Sequence, residues 1–240
     1  MSRRLSLLLL VPVALVLVGY VLLPAWETVR LSIEDGTLWR LFEDGTSGAA
    51  WRGLVTSVGV SLVSVLLSGI LGTGLAFAFY RFDFPMRRLL GTAALVPLAL
   101  PPLVGVLAFL FLYGESGILP RLIQTVFSLD EVPFAFEGLS AVVIVHVYAF
   151  YVYFFLFVGA GFESLDASLL EASSDLGAPG WTTFRRVVLP ALGPALLSAS
   201  LLVFMVSMAS FTAPLLFANG EEFLTLQIYR AKTNGDLALS

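Results

Sequence analysis

The sequence predicts an all-α, polytopic helical membrane protein with five visible spans and the opening residues of a sixth. Three observations predict it. Of 240 residues, 58% are hydrophobic and only 12% charged, about half the charged share of an ordinary soluble domain. Five windows, Leu5–Ala25, Leu54–Tyr80, Leu89–Tyr113, Leu139–Gly161 and Ala191–Ala218, each exceed the roughly 20 helical residues that cross a hydrocarbon core of about 30 Å. None of these windows contains Asp, Glu, Lys or Arg, so all 13 basic and 17 acidic residues fall in connections or termini.

The same composition excludes several functions. A net charge of -4 from scattered residues provides no basic stripe to follow a nucleic-acid backbone. With no cysteine and one histidine, disulfides, thiol nucleophiles and zinc sites built from Cys and His are ruled out. No catalytic residue, no metal site and no cofactor bound by the chain is expected.

Each element has its own justification. The first window follows Arg3 and Arg4 as a signal peptide would, but its length exceeds the usual 7–15 residues and no A-x-A site follows, so it reads as a retained helix. In the second, Ser57, Ser61, Ser64, Ser68 and Gly72 share one face at small-xxx-small spacing, which suits close helix packing or the lining of a pathway. Pro97, Pro101 and Pro102 remove three backbone donors from the third. Such an interruption at membrane depth is tolerated where the freed carbonyls meet protein or water, so Pro101 marks either a packing kink or the border of a cavity. His146 falls about two turns into the fourth window; it is either a buried ring bonded to a backbone carbonyl or one facing a cavity. In the fifth, Ser207, Ser210 and Thr212, ahead of Pro214, offer hydroxyls that could line an uncharged conduit. The closing Asp236-Leu-Ala-Leu-Ser240 reads as the first turn of another apolar helix, cut short.

Basic residues orient the chain. With the N-terminus inside, the inner segments carry Arg3, Arg4, Arg81, Arg87, Arg88, Arg185 and Arg186, at higher density than the outer ones. The chain then divides into residues 1–53, a membrane helix with a periplasmic loop, and residues 54–240, a helical core whose inner connection runs from 162 to 190.

That connection does not read as a loop. Asp166 is placed as a helix N-cap, Gly177 as the residue that ends the helix, and Pro179 as the stop. Leu169, Ala172, Ser173 and Leu176 are expected on one small face, with Ser168, Glu171 and Asp175 on the other. Two acids one turn apart repel, Asp175 opposes the helix dipole, and so short a helix is marginal alone, so docking against a basic, grooved partner would relieve it. Trp181, Phe184 and Val188 then recur opposite Arg185 and Arg186, as in a helix lying at the membrane surface, and Pro190 is placed at the turn into the fifth span.

The pattern Glu171-Ala172-Ser173, Gly177, then Val187, Leu189 and Pro190 resembles the EAA loop of permease subunits of bacterial type I ABC importers, with every spacing kept and Ser and Val replacing one Ala and one Ile. Tyr80–Arg88 and Pro97–Pro102 also look like this family. The resemblance implies a MetI-like permease core over 54–240 in a bacterial inner membrane, with Glu171, Ala172, Ser173, Asp175, Gly177, Leu189 and Pro190 coupling to an ATPase. It implies as partners a cytoplasmic ABC ATPase dimer holding ATP and Mg, a second permease subunit, identical or different, and a periplasmic or lipid-anchored substrate-binding protein, all in the lipid bilayer. The chain itself lacks the Gly-x4-Gly-Lys-Ser/Thr pattern of a P-loop, so it is not expected to be an enzyme. It also lacks paired intramembrane carboxylates, which disfavours the alternative of a secondary carrier; a membrane anchor for a cytoplasmic partner is the other alternative. The wording Asp175-Leu-Gly-Ala178 looks closer to permeases for iron(III), inorganic oxyanions or polyamines than to those for sugars. The excess of acids in the outer segments leans toward a cation or iron.

Overall fold

The structure, a computed structural model, describes residues 11–34 and 48–234. Arg3, Arg4 and the start of the first window, together with the Asp236–Ser240 turn, lie outside the described residues. All regular elements among those described are helical. They form two compact units, one spanning Gly53–Leu226 and the other the flanking segments.

In the flanking unit, α1 (Val11–Leu31) is long and apolar enough to cross a membrane and its side chains are exposed. An all-round apolar surface of that kind suits lipid as solvent. The larger unit is built around α2 (Ala49–Arg81) and α7 (Gly138–Glu163). Between them run α3 (Arg87–Ala94), α4 (Val96–Ala99), α5 (Pro102–Tyr113) and α6 (Ile118–Phe127). After α7 come α8 (Ala167–Asp175), α9 (Gly180–Ala191), α10 (Gly193–Met208), α11 (Thr212–Phe217) and α12 (Leu224–Thr233).

Helix α7 is the axis of this unit because it feeds both apolar cores. Its Val142 and Val145 pack with Val60, Val106, Phe217 and Leu226. Its Phe154, Val158 and Phe162 pack with Ala76, Val188, Leu192 and Val203. In lipid such contacts gain nothing from leaving water, so tight fit has to supply the energy. The small-residue stripe of α2 provides that fit: Ser57, Ser61, Ser64 and Ser68 are all buried. The hydroxyls of Ser61 and Ser68 find no partner among the described residues, so there it is small size that serves the packing. At Gly72 a Cβ would fall 2.6 Å from the Cβ of Phe154 and against the carbonyl of Tyr151. Only glycine allows that approach.

Two expected spans are not single helices. The window Leu89–Tyr113 breaks twice, at Leu95 and again where Leu100 and Pro101 adopt extended backbone. Pro101 and Pro102 cannot donate to the carbonyls of Pro97 and Leu98, and the residue before a proline disfavours the helical region. The stretch with the length and composition of a span is Pro102–Phe127. The window Ala191–Ala218 breaks between α10 and α11. Pro214 has no N–H to offer the carbonyl of Ser210, and the Thr225 hydroxyl donates to that oxygen instead, at 2.9 Å. The turn into the membrane also sits later than expected. Pro190 lies inside α9, beyond a π-turn at Phe184–Val188, and the 59° bend falls between Ala191 and Gly193. Pro194, in the first turn of α10, withholds the donor that would have carried the helix straight on.

Gly72→Ala is expected to destabilise the chain by about 1–3 kcal/mol, the usual cost of overpacking. Gly59→Ala, where an added Cβ meets nothing within 4 Å, is expected to be neutral or slightly stabilising. Thermal unfolding of both variants in detergent checks the pair; equal effects would contradict the α2–α7 contact.

Candidate functional site

The buried polar chemistry of the larger unit converges on His146. Its ring is 2% exposed. Nδ1 lies 3.2 Å from the Ser64 hydroxyl and 3.1 Å from that of Ser207, while Nε2 lies 2.8 Å from the Ser210 hydroxyl. A neutral imidazole offers one donor and one acceptor, and a serine hydroxyl can complement either. No backbone carbonyl is the partner, contrary to the first of the two sequence readings. Ser64 comes from α2, His146 from α7, Ser207 from the last turn of α10, and Ser210 from the break that follows. One ring thus ties both long helices to the interruption.

Beside this cluster is a cavity of about 550 Å³. Pro97, Pro101 and Pro102 form one wall, and His146, Ser210 and Thr212 belong to another. Four of the five residues singled out for a pathway therefore line it. Ser207 does not; it stands behind the ring, 5% exposed. No Asp, Glu, Lys or Arg lines the cavity, so it offers hydroxyl and imidazole contacts and no fixed charge. Sequence reasoning missed two contributors. Tyr148 lines the cavity, and Tyr151 donates through its hydroxyl to the carbonyl of Ala94 at 2.8 Å, where the α3 helix ends. Both sit in an aromatic run where spacing alone does not separate packing from lining. Among the described residues no group of His, Asp or Glu is placed to hold a metal ion.

The second candidate is the connection after α7. Asp166 caps α8, its carboxylate accepting from the Ser168 N–H at 2.9 Å. That bond holds the Asp166 carboxyl below its ordinary value. At the other end Gly177 takes φ +71°. Its N–H donates to Ser174 and that of Ala178 to Ser173, at 2.8 and 3.1 Å, the paired bonds of a Schellman ending. One residue of the expected face turns inward. Ser173 is buried and its hydroxyl meets that of Thr183 at 2.7 Å, and Leu170 turns inward with it. Leu169, Ala172 and Leu176 are exposed, as are Glu171 and Asp175. Leu169, Ala172 and Leu176 thus form an exposed stripe with Ser173 at its buried edge. Val188 is buried, and Trp181 is 71% exposed and stacked on Phe184. Gly177, Leu189 and Pro190 are exposed.

Comparison with known proteins decides the family. The family model described as binding-protein-dependent transport system inner membrane component matches residues 68–240. The chain belongs to that family. That family is one of inner-membrane transport components, and the apolar helices are those of a multi-pass membrane protein. It is 29% identical over 217 residues to a molybdenum transport system permease protein of Mycobacterium bovis, covering 88% of this chain and 79% of that protein. It is 31% identical over 173 residues to a ferric transport system permease protein of Actinobacillus pleuropneumoniae, covering 69% of this chain. The aligned part is only 25% of that ferric permease's length. A bacterial ABC transporter involved in the import of the acidic polysaccharide alginate shares the fold, with a TM-score of 0.73, 17% identity, and coverage of 98% of this chain and 86% of that one. The inward-facing MetNI methionine ABC transporter superposes with a TM-score of 0.59 at 16% identity, over 81% and 86% of the two chains.

His146→Leu would leave three serine hydroxyls facing an apolar side chain. A loss of about 1–3 kcal/mol is expected, read as a lowered Tm, with Ser210→Ala in that background costing less than in the parent. At α8, Asp166→Ala should loosen the helix and Asp166→Asn should preserve it. Because the folded Asp166 value is depressed, its contribution is complete above the ordinary carboxylate value near pH 4 and is lost as pH falls through the lower folded value. Hydrogen exchange of α8 between pH 5 and 2 should show that loss in the parent and not in Asp166→Asn.

Proposed function

We propose that this chain is the permease subunit of an ATP-driven importer, that the cavity beside His146 is part of its translocation pathway, and that α8 docks on a separate cytoplasmic ATPase. The N-terminus and the α8 side face the cytoplasm, in keeping with the Lys and Arg bias. The observation that carries this reading is α8 itself. A nine-residue helix, capped at both ends, presents Leu169, Ala172 and Leu176 beside Glu171 and Asp175 to solvent. A polar-only surface would explain a helix lying free; an apolar stripe flanked by acids calls for a basic groove. ATP and Mg belong to that partner, a dimer, and a second permease subunit and a substrate-binding protein complete the importer.

The substrate class that fits the cavity is a tetrahedral inorganic oxyanion such as molybdate or sulfate. Hydroxyl donors without carboxylates give an anion passing contacts that are easily broken. A bare iron(III) ion, a hard cation that seeks anionic oxygen ligands, would find none in this wall. The likeness to the molybdenum permease, which runs through most of both chains, supports the same class. Iron remains the second reading because the likeness to the ferric permease is of similar strength.

In proteoliposomes holding the assembled importer, ATP hydrolysis stimulated by the loaded binding protein should accompany molybdate or sulfate uptake. Uptake of iron alone would reverse the substrate assignment. Glu171→Lys, and Gly177→Asp at a positive-φ position that strains any side chain, should each lower stimulated hydrolysis at least tenfold. Unchanged hydrolysis and uptake in both variants would remove the docking role from α8.

A further inference from the structure

A second cavity of the larger unit lies apart from the one beside His146. It is an open groove of about 1180 Å³, beyond the 300–1,000 Å³ typical of small-molecule sites. One wall is α2 from Val65 to Arg81, with Leu66, Ile70 and Phe77 among its side chains. At 1.5 Å per residue that wall is about 24 Å long, more than the roughly 15 Å depth of one leaflet. The opposite wall brings in Phe162, Leu192 and Leu196. Along this length the lining is overwhelmingly apolar, and its charge is confined to one end, where Arg81 stands.

Arg81 lies over the ring of Phe82 at 5.9 Å, with no carboxylate in ion-pair range among the described residues. Trp181, exposed and stacked on Phe184, belongs to the same lining, and Arg185 and Arg186 are exposed in the turn that follows. An aromatic beside arginines is the composition of a membrane–water interface. The groove therefore runs from a basic, headgroup-level mouth into the hydrocarbon.

We propose that this groove binds one anionic phospholipid, its acyl chains along α2 and its phosphate at Arg81. A lipid tail gains no hydrophobic free energy by leaving the bilayer for an apolar wall, so the preference comes from the headgroup. An unpaired guanidinium at the mouth attracts a net negative headgroup over a zwitterionic one. A second copy of the chain laying an apolar helix in the groove would leave that charge unanswered. The inference uses the membrane location of the chain and not its transport activity, so the two stand or fall separately.

The test is native mass spectrometry of the full-length chain after equilibration in nanodiscs of equal phosphatidylglycerol and phosphatidylcholine. The expected result is one retained phosphatidylglycerol per chain, enriched about fivefold or more over phosphatidylcholine. Arg81→Gln should bring that ratio close to one, while Arg88→Gln, at a position that does not line the groove, should leave it unchanged. Gly74→Phe, where an added Cβ meets nothing within 4 Å, should fill the groove and abolish retention of either lipid without lowering the Tm. Equal retention of the two lipids, equal loss in the Arg81 and Arg88 variants, or lipid undiminished in a folded Gly74→Phe chain would overturn the proposal. So would a photocrosslinker at position 74 captured by a second copy of the chain instead of by lipid.

Discussion

A polar side chain packed between helices has to find its hydrogen-bond partners within the protein, and the arrangement around His146 follows from that constraint. Its imidazole needs a donor and an acceptor, and the unit meets both needs with three serines from two separate stretches of chain. Ser64 has to face α7 for this, which fixes the rotation of α2 and with it the rest of the serine stripe. Ser210 has to stand at the end of α10, which places the helix break against the ring. An apolar residue at 146 would pack as well and specify less. Hydrogen bonds have direction, whereas lipid-like side chains slide past each other at little cost.

The same constraint governs the interruptions. Each proline that breaks a span frees a carbonyl, and a freed carbonyl in hydrocarbon is costly. The Ser210 oxygen is answered by the Thr225 hydroxyl, and the Ala94 oxygen, at the end of α3, by that of Tyr151. The Pro97–Pro102 stretch solves the problem differently, by bordering a cavity. The interruptions thus sit where a hydroxyl or an open volume awaits them, and the two broken segments face each other across that volume. A neutral, hydroxyl-lined space among prolines is a consequence of two helix breaks that border one cavity.

Residue types announced the large features and withheld the angular ones. Charge-free windows of adequate length were visible without coordinates, and so were the ends of α8, because Asp166 and Gly177 act through local backbone geometry that a few neighbours determine. The breaks were signalled by proline, yet their outcome was not. Pro101 separates α4 from α5 and Pro214 sits in the first turn of α11, just past a break, while Pro190 is absorbed within α9 next to a π-turn, and the difference lies in which carbonyls find a substitute partner far along the chain. The burial of Ser173 was hidden for a related reason. Periodicity grouped Ser173 with Leu169 and Leu176, but the Ser173–Thr183 contact spans ten residues and a turn, and it outweighs the modest apolar preference of a two-turn helix in choosing which side goes inward. The lining role of Tyr148 was hidden by its neighbours, since in a run so rich in aromatics composition carries no information about direction.

The position of these joints bears on how the proposed docking helix communicates with the cavity. Between α8 and the His146 cluster the chain contains no slack segment. The Schellman ending at Gly177, the Ser173–Thr183 bond, the buried Val188 and Leu192, and the 59° bend into α10 follow one another directly. Helix α10 then delivers Ser207 and Ser210 to the ring. A displacement of α8 is therefore passed on by packed helices and short turns, and packed elements of this kind shift between discrete arrangements instead of deforming gradually. The His146 ring, bonded to α2 on one side and to the end of α10 on the other, is where such a shift has to be taken up. Either the Ser207 and Ser210 contacts exchange partners, or α2 moves with α10. The first alternative opens the wall of the cavity; the second carries the whole wall along unchanged. Ser210 stands in a break, but its N–H donates to Ser207 and its carbonyl accepts from Thr225, so an exchange there is a rotation of its side chain alone.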